Sequence, residues 1–123
     1  MITISTGELL DKYSILVIKE ERITDADKLV NITKELDYIG EVVLSTVDDE
    51  ESIWKYWDEL YQVNMQLWDV EDKLRQHEAN GDFGDEFVEL ARSVYRLNDR
   101  RAELKKLINV ETNSPFIEEK SYA

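Results

Sequence analysis

The chain has 123 residues, of which 28 are acidic and 15 basic for a formal charge of −13, with no Cys, one His, one Pro and four Gly. With 42% apolar and 10% aromatic residues, it suits a single domain with a real core and excludes a disordered acidic tail. The charge argues against nucleic acid or an anionic membrane as the main partner, since both demand clustered positive charge.

Gly, Pro and polar clusters divide the chain near Thr24-Asp25, the run from Asp48 to Glu51, the stretch from Asn80 to Gly84, and Asn113-Ser114-Pro115. Between these breaks, apolar residues recur at spacings of three and four, the helical period. The first predicted helix starts at Ser5 or Thr6, where Ser5 and Glu8 form a capping-box pattern, and runs to about Ile23. Leu9, Leu16 and Ile23 form its seam, Leu10, Tyr13, Val17 and Ile18 widen it, and it should be the most buried helix. The second begins near Asp25 and presents Leu29, Ile32, Leu36, Ile39, Val43 and Val47. The third spans about Glu51 to Ala79, with the seam Ile53, Trp57, Leu60, Asn64, Leu67, Glu71, Leu74. The fourth spans about Asp85 to Asn109, with the seam Phe87, Leu90, Val94, Leu97, Arg101, Leu104, Ile108.

Short connections between long amphipathic helices favour antiparallel neighbours. The expected architecture is therefore an all-α, up-and-down antiparallel bundle of about four helices built from long hairpins. The whole of residues 1–123 is expected to be one domain, with a short extended C-terminal tail over about 113–123 in which Phe116 and Ile117 could pack back. No signal peptide or membrane span fits, since the longest aliphatic run is Ile15 to Ile18. Together with the lack of Cys this suits a reducing cytoplasm.

The informative positions are polar residues in core-facing slots, because an unpaired buried polar atom costs on the order of 1–3 kcal/mol. Asn64, Glu71 and Arg101 occupy such slots. If the third and fourth helices fold back about Gly81-Asp82, Asn64 comes level with Arg101, whose carboxylate partner could be Glu71 or Glu20. Two readings follow. One is a polar pocket of Asn64, Glu71, Asn98 and Arg101, with Lys12 or Lys19, holding an anionic small molecule. The other is a network that fixes helix register.

Charge is also segregated. From Arg92 to Lys106 six basic residues face two acidic ones, and Arg92, Arg96 and Arg100 make one stripe. The stripe either receives an anion such as phosphate, nucleotide or carboxylate, or faces acidic neighbours such as Asp69 to Asp72, within the chain or across a dimer. Glu8 with Asp11, Glu86 with Glu89, and Asp69 with Asp72 place carboxylate pairs on one helix face, as Mg²⁺-dependent all-α hydrolases do. In so acidic a chain such pairs arise by chance, so Glu8 and Asp11 are the weak metal candidates and no cofactor is expected. His77 has no second His to join it and should be exposed. Trp54, Trp57 and Trp68 with Tyr56 and Tyr61 surround the third helix, either as a wide core with the first two helices or as a self-association surface.

Six stretches together carry a resemblance: Gly7 to Lys12 (GELLDK), Lys19 to Ile23, Leu67 to Asp72, Gly81 to Gly84, Asn98 to Ala102 (NDRRA) and Glu118 to Tyr122 (EEKSY). The chain resembles a domain-of-unknown-function family of small bacterial and phage proteins, sometimes encoded near glycosyltransferase or repeat-protein genes. The resemblance implies a stand-alone helical domain and no particular activity. It adds Glu8, Asp11, Lys12, Lys19, Glu21, Arg22, Asn98, Asp99, Arg100, Arg101, Glu118, Glu119 and Lys120 as matched polar positions. A second likeness, to the first helix of all-α chorismate mutases, stops at that helix.

Two functions stand against each other on this reading. The first is action by protein association, as a homo-oligomer or with a protein partner. The second is a helical enzyme or small-molecule binder, with or without Mg²⁺, whose anion site on the first and fourth helices is drawn from Lys12, Lys19, Arg22, Asn64, Glu71, Asn98, Arg100 and Arg101.

Overall fold

The computed structural model describes residues 4–113, which form four α-helices and, among the described residues, no strand. They are α1 (Thr6–Arg22), α2 (Ala26–Thr46), α3 (Glu51–Ala79) and α4 (Asp85–Glu111). The tail expected after Asn113, including Phe116 and Ile117, lies outside the described residues.

Local chemistry sets most of the boundaries. The Ser5 hydroxyl accepts the Glu8 N–H at 3.1 Å and the Asp25 carboxylate accepts the Lys28 N–H at 3.0 Å, capping α1 and α2. Gly81 takes a left-handed φ of 65° just past Asn80 and closes α3, a conformation that costs Gly nothing. α4 ends at Glu111, just past its expected end at Asn109, whose fully buried side chain accepts the Gly7 N–H of α1 at 2.6 Å through Oδ1. That tertiary bond outweighs the weak helix propensity of Asn.

Side-chain pairs give the directions. Lys12 with Glu35 and Glu20 with Thr33 set α2 antiparallel to α1, while Tyr13 with Trp57 and Arg22 with Asp69 set α3 parallel to α1. Ser52 with Glu111 and His77 with Glu86 set α4 antiparallel to α3. The result is an up-and-down bundle with α1 at its centre, packed on each of the other three helices, and α2 approaching α1 alone. The core joins Leu9, Leu10 and Leu16 of α1 to Ile39 and Val43 of α2, Ile53, Leu60 and Leu67 of α3, and Leu104 and Ile108 of α4. The aromatic residues of α3 divide accordingly: Trp57 packs on Tyr13 of α1 at 5.5 Å, on Tyr61 at 5.6 Å and on Trp54 at 6.0 Å, and these rings border the core.

α1 and α3 differ in length. α1 ends level with Asp69, where Arg22 binds it, and α3 continues to Ala79, about 15 Å further at 1.5 Å per residue. Beyond that level α3 and α4 have, among the described residues, only each other, and no residue from Val70 to Ser93 is buried. The seam residues Leu74, Phe87 and Leu90 are half-exposed there, whereas Val94 and Leu97 pack against the core of the body. The molecule is thus a body of four helices from which the α3–α4 hairpin projects as an arm.

Candidate functional site

The polar residues converge in the middle of the body. Gly7, Asp11, Ser14 and Ile18 follow one another on α1 at spacings of four, three and four, and all are buried. The small Gly7 and Ser14 let α3 and α4 approach the helix closely. A Cβ on Gly7 would lie 2.4 Å from the Lys105 carbonyl oxygen. Asp11, only 1% exposed, stands between them.

Asp11 is bound from both neighbouring helices. Arg101 of α4 donates from Nε to Oδ1 at 2.9 Å and from Nη2 to Oδ2 at 2.5 Å, a two-pronged pair. Asn64 of α3 donates from Nδ2 to the same Oδ1 at 3.0 Å and to the Ser14 hydroxyl at 2.8 Å, while that hydroxyl donates to the Asp11 carbonyl at 2.7 Å. The bonds to Asp11 hold the Arg101 guanidinium above its ordinary pKa, against the opposing effect of its burial. One turn along, Lys105 pairs with Glu8 at 2.6 Å.

Two clefts flank this junction. Asn64, Trp68, Glu71, Asn98 and Arg101 line one of about 150 Å³ between α1, α3 and α4. Lys12, Lys19, Glu8, Asp11, Glu35 and Arg101 line the other, of about 240 Å³. Six of the eight candidate residues therefore stand around Arg101. The other two stand apart: Arg22 binds Asp69, and Arg100 binds Glu59 and Glu103.

Several expectations need correcting. The carboxylate partner of Arg101 is Asp11, because Glu71 is exposed at the edge of the body and Glu20 faces Thr33 of α2. Glu8 pairs with Lys105 and Asp11 with Arg101, so each of the two weak metal candidates faces a cation of this chain. No group of three His, Cys, Asp or Glu that could hold a metal occurs among the described residues. Arg96 reaches Glu89 and Arg100 reaches Glu59, rather than the acidic run from Asp69 to Asp72. His77 is not exposed: its side chain is 14% accessible, with Asp82 3.3 Å from Nδ1, Glu86 3.7 Å from Nε2 and the Phe87 ring at its edge. The turn at Gly81 folds these groups over it.

Sequence reasoning missed Gly7, Ser14 and Asn109 and gave Arg101 the wrong partner. The available signal was the run of small and polar residues at helical spacing on an otherwise aliphatic α1. No helix among the described residues is long and apolar enough to cross a membrane. No curated protein and no solved structure matches the chain. A family model does match over residues 1–123, in agreement with the resemblance carried by the GELLDK, NDRRA and EEKSY stretches, and the chain belongs to the family of unknown function DUF6165.

Proposed function

We propose that this protein acts by protein association, with the projecting α3–α4 arm as its contact surface. The observation that carries the reading is the arm itself: beyond Asp69 the hairpin carries apolar residues such as Leu74, Phe87 and Leu90 that no third helix covers among the described residues, and none of its residues from Val70 to Ser93 is buried. An isolated helix pair buries too little to hold itself in place, and a third element on its apolar surface supplies the missing burial. Val88 is 43% exposed and Tyr95 58% exposed on the outer face of α4, and Tyr is among the residues that most often anchor interfaces.

The cluster around Arg101 supports the same reading from the other side. An anion site needs spare positive charge, but Arg101, Lys12 and Lys105 each face a carboxylate of this chain at 3.5 Å or less, which leaves Lys19 as the one cation lining either cleft with no ion pair among the described residues. The junction accordingly acts as a structural lock that sets α1 against the hairpin and leaves the arm free.

Replacing Val88 and Tyr95 together by Asp tests this, since both side chains lie outside the core. In an extract of the native cells the unaltered chain should elute above its mass of 14.5 kDa, and the double variant as a folded monomer with the helical content of the unaltered chain. Elution of the unaltered chain as a monomer, or a variant that keeps its assembled size, would refute the association reading.

A further inference from the structure

The proposal rests on the association reading and names the partner. We infer that the arm pairs with the arm of a second copy of this chain, α4 against α4 in antiparallel sense, with the two-fold axis beside Ala91.

The outer face of α4 carries one stripe in the arm. Val88, Ala91 and Tyr95 follow at spacings of three and four, and all three are exposed. A small residue lies between two larger ones, so two such stripes running in opposite directions fit into each other. Ala91 meets Ala91 of the second copy where the helices cross, and Tyr95 of each copy lies over Val88 of the other. Close approach at a small residue is what brings helix axes to the short end of their packing distance. The contact is isologous, and a two-fold pair closes on itself.

Charge selects the direction. Asp85, Glu89, Arg92 and Arg96 run down one flank of the stripe at spacings of four, three and four, acidic toward the tip and basic toward the body. A two-fold antiparallel pair brings this flank against itself in reverse. Glu89 then stands between Arg92 and Arg96 of the second copy, and Asp85 faces Arg96. A parallel two-fold pair sets each flank against the opposite flank of the partner, so these acid–base contacts would not form. Arg92 makes no ion pair among the described residues, and Arg96 reaches across seven residues to Glu89 within its own helix. The second copy offers Arg92 a carboxylate. Antiparallel pairing also sends the two four-helix bodies to opposite ends of the pair.

The chain contains no Cys, so single-cysteine variants report the geometry directly. Sedimentation of the purified chain at rising concentration should show a monomer–dimer equilibrium that weakens with salt. Under mild oxidation Ala91→Cys should form a covalent dimer at least tenfold faster than Leu44→Cys, a control on α2 that is 80% exposed. Val88→Cys and Tyr95→Cys should cross-link with each other in a mixture and scarcely with themselves. A dimer in which Ala91→Cys stays uncross-linked, or in which Val88→Cys pairs readily with itself, overturns the antiparallel register while leaving association through the arm intact. A monomer at every concentration overturns the second copy as partner. In that case the size of the native assembly, and its response to the double Asp variant, still decides the association reading separately.

Discussion

Arg101→Met isolates the lock between α1 and the hairpin. In the native protein the Asp11 carboxylate is 1% exposed and accepts two hydrogen bonds from Arg101 and one from Asn64. Met fills much of the volume of Arg but donates nothing, leaving a buried carboxylate with a single side-chain donor. Breaking one partner out of a buried pair costs about 3–5 kcal/mol. The Arg101 side chain is itself 29% exposed, so solvent already weakens part of the attraction and the lower end, about 3 kcal/mol, is the expected loss. The double variant Asp11→Ala/Arg101→Met removes both charges, while Asn64 keeps its bond to Ser14. It should lose only about 1–2 kcal/mol, since an ion pair replaced as a unit strands no charge. Urea unfolding at one fixed protein concentration measures both, the concentration being held because any self-association adds to apparent stability. A single variant within 1 kcal/mol of the native protein, or a double variant no better than the sum of its parts, would show that the pair is not coupled through burial.

Three further outcomes follow from the geometry. Gly7→Ala places a methyl group 2.4 Å from the Lys105 carbonyl and 2.9 Å from Asn109 Oδ1, so α1 and α4 must separate; the melting temperature should fall by an amount equivalent to about 1–3 kcal/mol. Leu10→Ala in the body, where the side chain is fully buried, should cost about 2–5 kcal/mol, whereas Leu90→Ala in the arm should cost under about 1.5 kcal/mol in the monomer; equal losses in denaturant titrations would contradict the division into body and arm. The Tyr61 hydroxyl donates to Glu21 at 2.7 Å, and this bond, with burial and the charge of Glu21, raises its pKa above the ordinary 10.0. The folded-state value lies above the unfolded one, so the contribution is present below pH 10 and is lost as pH rises through the folded value. Glu21→Gln should bring the titration of the Tyr61 ring, followed by NMR, back toward 10.

The fold was legible because its signals are local and redundant. Period-three-and-four seams, Ser5 and Asp25 as caps and Gly81 as the turn residue gave four helices, and the ends of α3 coincide with those expected, Glu51 and Ala79. Asn109 is held in the fourth helix by a contact with Gly7, far away in sequence, that no local signal announces. The same distinction governs the site. Asn64 and Arg101 were found because they interrupt apolar seams, and the level at which they meet follows from counting back from one turn. Asp11 was not recognised as their partner because it sits among many carboxylates in a very acidic chain, and only the angle between α1 and the hairpin shows which one turns inward. Glu71 misled for the complementary reason: it holds a seam position, but α1 ends before it can cover that position. Seam analysis assumes that every helix is covered along its whole length, and here one is not.

The uncovered length in turn depends on the buried polar residues. Leu9 and Leu16 on α1 pack in the same core as Leu60 and Leu67 on α3, each pair seven residues apart, and leucine against leucine tolerates sliding by a turn at small cost. Such a slip moves α1 by about 5.4 Å along the hairpin and would lengthen or shorten the arm by the same amount. The polar residues do not tolerate it. A one-turn shift carries Asp11 out of reach of both Arg101 and Asn64 and strands a charge in the core. It also replaces Gly7 with a larger residue where the Lys105 carbonyl leaves no space for a side chain. The apolar seams bring the helices together, and Gly7 and Asp11 determine where α1 stops along α3. By ending α1 level with Asp69, they decide how much of α4, including the stripe from Val88 to Tyr95, is left for a partner to cover.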